Sequence, residues 1–320
     1  MANTDYIPRN KTGNLIPVEY YPEIFKAAAA ESVVLANARR LRDMERHELA
    51  LTAENALPMA YFTNGDTGFR DVTKAEWDGV TLTAEEVNAI VPVPNNLIDD
   101  MDVPIWQEIM PMLTQAIGAV IDKAVLLGTN KPATWPTAIL TEAASRSHVV
   151  TVPNSSPDYY DLFMGDGGVI AKVEEDGFFV SGHAANISLR AKLRGIRDEV
   201  GQPIFQPSMQ GSAQYQLDGA PMYFPRNGCL SSDVLDIAGD WTQLVYSVRR
   251  DMTWDIFREG VISDPSTKLV VTNLMQQRMT ALMVTMRIGF ALPNPVNMVN
   301  PDGTSRYPFA VLKAASGTSA

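Results

Sequence analysis

Asp102–Gly128, DVPIWQEIMPMLTQAIGAVIDKAVLLG, is the stretch on which the fold turns. Trp106, Ile109, Met110, Leu113, Ile117, Val120, Ile121 and Ala124 recur at helical spacing, so one long amphipathic helix is expected. Asp102 and Pro104 supply its start signal, and Gly128 stands where a helix stops. Pro111 lacks a backbone donor, which predicts a kink or a break inside the helix. Asp99, Asp100 and Asp102 have oxygen ligands suited to a hard cation, but just ahead of a helix they are better read as caps that meet its dipole.

Working outward, Val87, Ala89, Val91 and Val93 alternate as a strand that Pro94 closes. Before it, Leu57–Glu86 reads as an extended two-stranded excursion. Asn64-Gly65 gives its turn signal, and Tyr61, Phe62, Phe69 and Trp77 stand among Asp66, Arg70, Asp71, Lys74 and Glu76. Such text is too polar to form a core alone. Earlier still, Met1–Val18 is a polar arm, and an alanine-rich helix is expected over Glu23–Leu51.

Downstream, Lys131–Pro136 is proline-rich punctuation, and residues 150–257 mix short helices with strands. Ile187–Val200 reads as a helix ended by Gly201, Pro203–Phe205 as a strand, and Leu217–Pro221 as a turn. Leu282, Val284, Met286, Ile288 and Phe290 alternate on one strand face, and Phe309–Leu312 is the last strand. The class is α+β.

The chain has 320 residues, 46% of them hydrophobic and 20% charged, enough to bury one large or two medium cores. A formal net charge of −11 argues against a general polycation for nucleic acid. Arg39, Arg40 and Arg42, and again Arg190, Lys192, Arg194 and Arg197, fall on helical patterns and read as solvated faces. One cysteine and three histidines allow neither a disulfide framework nor a zinc-finger spacing. No signal peptide and no uninterrupted apolar span is read, so neither export by that route nor a membrane partner is expected.

Catalytic patterns are weak. Gly165-Asp166-Gly167-Gly168 lacks the Lys-Ser/Thr of a phosphate loop and reads as a loop or helix start. Glu174, Glu175 and Asp176 before Gly177 read as a solvated helix end. His47, His148 and His183 have no partner at metal-binding or triad spacing, and Cys229 reads as a small apolar filler. Asn154 and Asn186 match a glycosylation pattern without meaning for a cytoplasmic product. No catalytic, cofactor-binding or metal residue is assigned.

Taken in order, seven stretches resemble the major capsid proteins of tailed phages, the Hong Kong 97-type fold. They are Ile16–Asp43 (IPVEYYPEIFKAAAAESVVLANARRLRD), Leu57–Gly65 (LPMAYFTNG), Ile90–Thr129, Ile187–Phe205 with LRGIRDEVGQPIF, Leu217–Pro225 (LDGAPMYFP), Ala238–Arg250 (AGDWTQLVYSVRR), and Leu292–Lys313 with LPNPVN and YPFAVLK. Each motif is weak singly; their order and spacing are specific. The resemblance implies an N-terminal arm over 1–57, an E-loop over 58–86, and a peripheral domain from 87–140 and 258–320, with a spine helix near 103–127. An axial domain lies over 141–257.

It also implies a structural subunit with no enzyme activity and no cofactor, assembled in the bacterial host cytoplasm into hexamers and pentamers of an icosahedral virion shell. That shell encloses double-stranded DNA without sequence-specific binding. Separate scaffolding, portal and decoration proteins are further partners. The E-loop residues Tyr61, Phe62, Asp66, Phe69, Arg70, Asp71, Lys74, Glu76 and Trp77 are implied to contact a neighbouring subunit.

Many members begin with a long helical scaffolding segment, whereas capsid-like text here starts by about residue 16, and Met1 favours a separate scaffold protein. Two rivals stand beside this reading: an encapsulin shell of the same fold, and a hydrolase whose site is split along the chain. The arm and the two-proline LPNPVN favour the virion over the encapsulin. Particles of hundreds of copies, rather than a discrete oligomer with a ligand pocket, would exclude the hydrolase.

Overall fold

The computed structural model describes residues 32–62, 72–100, 105–154, 157–197, 202, 215–264 and 266–315. Four helices and three strands deserve names first. Helix α1 is Val33–Asn37, α2 is Asn95–Asp100, α3 is Ile105–Asp122 and α4 is Ile139–Ser145. Strand β1 is Arg39–Arg40, β2 is Glu48–Ala56 and β3 is Glu76–Thr83.

The long helix forms where its periodicity puts it. Ile105, Ile109, Leu113, Ile117 and Ile121 are buried along one stripe of α3. By length and composition alone, residues 105–127 could cross a bilayer. Their apolar stripe is instead covered by the rest of the chain, within one large core cluster. Of the kink or break expected at Pro111, a break is excluded, since α3 continues through it. The irregularity lies at the other end, where Lys123–Leu127 widen into a π-helical turn. Gly128 stops it in the left-handed region at φ 80°, a conformation an L side chain resists.

Strand β4, Glu85–Pro94, carries the alternation read from the sequence and pairs antiparallel with the long strand β13, Met279–Ala291. On β13, Leu282, Val284, Met286, Ile288 and Phe290 are each at most 1% exposed. Burying each such side chain stabilises by about 1.5–3 kcal/mol relative to leaving it in water. The order β1-β10-β13-β4 completes a four-stranded sheet, with β10 spanning Val245–Phe257. Its far end leads into a small hairpin of β11, Val261–Ser263, and β12, Val270–Asn273.

A second sheet has six strands in the order β5-β14-β9-β6-β8-β7. These are Val149–Thr151 (β5), Gly182–Ala185 (β6), Gln216–Leu217 (β7), Ala220–Tyr223 (β8), Val234–Gly239 (β9) and Phe309–Lys313 (β14). All six residues of β9 are buried, because both faces of this sheet are covered. One face joins the core around α3 through Val234, Ile237, Phe309 and Val311. The other packs helices α5 (Tyr159–Met164), α6 (Val169–Glu175) and α7 (Leu189–Arg194) through Phe163, Val169, Val173, Leu189 and Leu193.

Several expectations are corrected. The helix expected over Glu23–Leu51 is, in its described part, only α1; β1 and β2 follow. From Glu48 onward Leu49, Leu51 and Ala53 turn inward while Glu48, Ala50 and Thr52 stay exposed, a period of two that outweighs helix propensity once β3 supplies a partner. Arg39 and Arg40 therefore lie on an edge strand and not on a helix. Asp99 and Asp100 are the last two residues of α2, and Asp102 lies outside the described residues. The helix expected over Ile187–Val200 ends at Arg194. Gly201 and Pro203–Phe205 lie outside the described residues.

The chain also crosses the domain limits drawn from the sequence. β2 falls before residue 58 yet pairs with β3. β10 falls before residue 258 yet belongs to the four-stranded sheet, while β14 falls after it and belongs to the six-stranded one.

Candidate assembly surface

Strands β2 and β3 pair antiparallel as a hairpin from Glu48↔Thr83 to Ala56↔Glu76. Its root is part of the protein's core. Leu82 and Ala84 are fully buried, in a cluster with Met44, Val245 and Ala291, and Leu49, Leu51 and Val80 pack against it. Gly289 of β13 is what lets the root come so close. A Cβ there would lie 2.7 Å from the Thr83 carbonyl oxygen and would collide with Leu82.

Beyond the root several large side chains are exposed. Met59 is 61% exposed, Tyr61 56%, Phe62 fully and Trp77 64%. Lys74 and Glu76 form an ion pair on the exposed rim. Of the residues expected at a subunit contact, Tyr61, Phe62 and Trp77 are exposed and Lys74 and Glu76 are paired with each other. Asp66, Phe69, Arg70 and Asp71 lie outside the described residues. A cluster of exposed large apolar side chains on a folded chain marks a contact surface.

Of the three histidines, His47 is exposed, while His148 and His183 are each paired with a carboxylate inside the protein. His183 Nδ1 lies 2.8 Å from Asp236 Oδ2, and both side chains are fully buried. His148 Nε2 lies 2.9 Å from Asp176 Oδ2. Glu174 and Glu175 are exposed, as a solvated helix end requires, but Asp176 is buried and departs from that reading. Asp176 also accepts from the Tyr307 backbone N–H at 2.6 Å and from Asn300 at 2.8 Å.

These dyads have the form of a catalytic base and its orienting acid, yet among the described residues neither imidazole hydrogen-bonds a hydroxyl or a thiol. Cys229 is fully buried, and burial pushes its thiol up to about 12, so it is held as an unreactive thiol. Gly165 and Gly168 cap α5 and α6 at either end of a tight loop.

Replacing His183 by Ala is expected to lower stability by about 3 kcal/mol, because Asp236 is left buried without its partner. Cys229→Ala should cost about 1 kcal/mol. Chemical denaturation measures both. Particles of either variant that do form should be normal, and well-formed particles that fail for want of a reaction would contradict a purely structural role.

The pattern of the phage capsid family matches residues 12–299. The chain belongs to that family. Two curated relatives, both described as major capsid proteins, are each 24% identical to it. That of Staphylococcus phage 80alpha aligns over 77% of this chain and 72% of its own length, and that of Klebsiella oxytoca phage phiKO2 over 88% and 66%. A solved chain from Microbacterium phage Oxtober96 is 26% identical, covers 97% of this chain and 96% of its own, and superposes with a TM-score of 0.76. One from Mycobacterium phage Adephagia is also 26% identical, covers 94% and 96%, and gives 0.75.

The capsid protein therefore has the Hong Kong 97-type fold and acts as a structural shell subunit of the virion. Between the two kinds of shell weighed above, this places it with phages. The sequence signal that pointed to the exposed segment was the run of aromatics among charges in text too polar for a core. No local signal pointed to the buried dyads.

Proposed function

We propose that the capsid protein forms hexameric and pentameric rings that close into an icosahedral shell around double-stranded DNA, with the β2–β3 hairpin as the arm that each subunit lays over its neighbour. The observation that carries this reading is the hairpin itself: a root fixed in the core and a distal half whose aromatics are uncovered. Contacts of this kind are heterologous, one surface of a subunit against a different surface of the next, and such contacts close into rings when the rotation allows.

Within that reading the E-loop is residues 48–83. The peripheral domain is α3 with the four-stranded sheet, and the axial domain is the six-stranded sheet with α5 to α7. The arm ends at α1 and β1. The subunit carries out no catalysis, and the net charge of −11 fits a wall that encloses DNA without gripping it by counterion release. Assembly takes place in the host cytoplasm, with separate scaffolding, portal and decoration proteins as partners.

Negative-stain microscopy of the purified chain with and without scaffold tests the reading. Closed particles with five- and six-fold clusters are the expected outcome. A strictly monomeric or dimeric product across salt and crowding would overturn it.

A further inference from the structure

The hairpin is held at a second place besides its apolar root. The Val296 N–H donates to the carbonyl of Glu54, on β2 above the buried cluster, at 2.9 Å. Val296 belongs to residues 292–307, a loop between β13 and β14 that is tied down by polar side chains. Arg306 is only 2% exposed, and its guanidinium donates to the carbonyls of Asn294 at 3.0 Å and Asn300 at 2.9 Å. Arg146, at the end of α4, donates to the carbonyls of Gly303 and Arg306 at 2.7 and 2.6 Å.

The other tether is Asp176, at the end of α6. Its carbonyl accepts from Asn297 Nδ2 at 2.7 Å, and its carboxylate accepts from Asn300 Nδ2 and from the Tyr307 N–H. His148 holds the same carboxylate from the strand side. Asn297 Oδ1 in turn accepts from the N–H groups of Val299 and Asn300, which fixes the turn that presents Val296. Hydrogen bonds on neighbouring residues Asn297 and Val296 thus link His148 and Asp176, at the six-stranded sheet, to β2 of a hairpin rooted on the four-stranded one.

We infer that residues 292–307 are a strap through which the Asp176 hub sets the position of the β2–β3 hairpin. The apolar root alone is a pivot, because Leu49, Leu51, Val80 and Leu82 gather on one patch of β10 and β13. A second anchor, displaced along β2 to Glu54, turns a pivot into a fixed direction. Loosening the hub frees the strap, and the hairpin then swings about its root while both sheets stay folded.

Hydrogen exchange by mass spectrometry on the unassembled full chain tests this without requiring the hairpin to touch a neighbour, so its failure is distinct from failure of the assembly reading. In the double variant Asn297→Ala, Asn300→Ala, exchange should quicken about five- to ten-fold over residues 292–307 and also over 48–56, with β13 unchanged. A quickened strap with an unchanged β2 overturns the inference.

Asp176→Asn keeps the size and an acceptor oxygen, and the same comparison is read from it should the double variant not fold. The wild-type chain under rising urea gives an independent reading. The strap and β2 should lose protection together and ahead of β13. Opening of either alone, or of both only with β13 in one global transition, overturns the coupling.

Discussion

A capsid protein whose residues 57–75 are replaced by a short Gly-Ser linker is expected to keep both sheets and to form no closed shell. The cut removes Met59, Tyr61, Phe62 and Val72, all exposed, and leaves the strand pairs from Glu48↔Thr83 upward in place. Exposed side chains away from buried features contribute within about 0.5 kcal/mol to a subunit's own stability, so thermal melting and circular dichroism should barely move. Assembly should be lost outright if, as proposed, the removed apolar surface is what each subunit buries against its neighbour.

The position of the cut matters. A deletion carried through to residue 86 would take out Leu82 and Ala84, both fully buried against Val245 and Ala291, and would unfold the root with the arm. Normal shells from the 57–75 replacement would sink the proposed role of the hairpin. Loss of the fold would show instead that the distal half is an internal element.

How much of this was legible in the sequence depended on how far each residue's partner lies along the chain. β4 and β13 declare themselves by alternation, since a sheet with one face on a core imposes a period of two on any sequence that forms it. The spine helix declares itself by its stripe and by Gly128. The π-helical turn does not, because nothing in Lys123–Leu127 differs from ordinary helical text.

Glu174, Glu175 and Asp176 are three neighbouring acids, and only the loop arriving from beyond residue 290 decides that the third is buried while the others stay in water. His183 and Asp236 meet because β6 and β9 are adjacent in the sheet, a pairing with no local mark. Glu48–Leu51 end a stretch that favours a helix by propensity, and the partner strand that overrules it there starts only at Glu76. Of the β2–β3 hairpin, the exposed aromatics were readable; that its root is core was not.

Asp122 is the residue whose removal should cost the subunit most stability. It is fully buried at the last turn of α3, where three parts of the chain converge. Ser32 Oγ donates to it at 2.5 Å, the Val33 and Val34 N–H groups at 3.1 Å each, and Asn227 Nδ2 at 2.7 Å. One carboxylate thus closes the open N-terminal end of α1, fastens the arm to the spine helix, and holds the loop that leads into β9. Asp122→Ala strands these donors away from water and should destabilise by about 3–5 kcal/mol, read as a shift of the denaturation midpoint, with faster hydrogen exchange over residues 32–41.

Burial raises the carboxyl above its ordinary value, and the hydrogen bonds from Ser32, Asn227, Val34 and Val33 oppose that only in part. The sign for stability follows. The folded state holds this proton more tightly than the unfolded chain does, so this group's contribution to stability rises as pH falls through the folded value and levels off below the unfolded one. Asp122→Asn retains one acceptor oxygen and carries no titrating proton. It should cost less than Asp122→Ala and should remove that part of the pH dependence from the melting curve. An Asp122→Ala protein that melts like the wild type, with an arm no faster to exchange, would mean that α1 is held by its apolar contacts through Val33, Val34 and Leu35 alone.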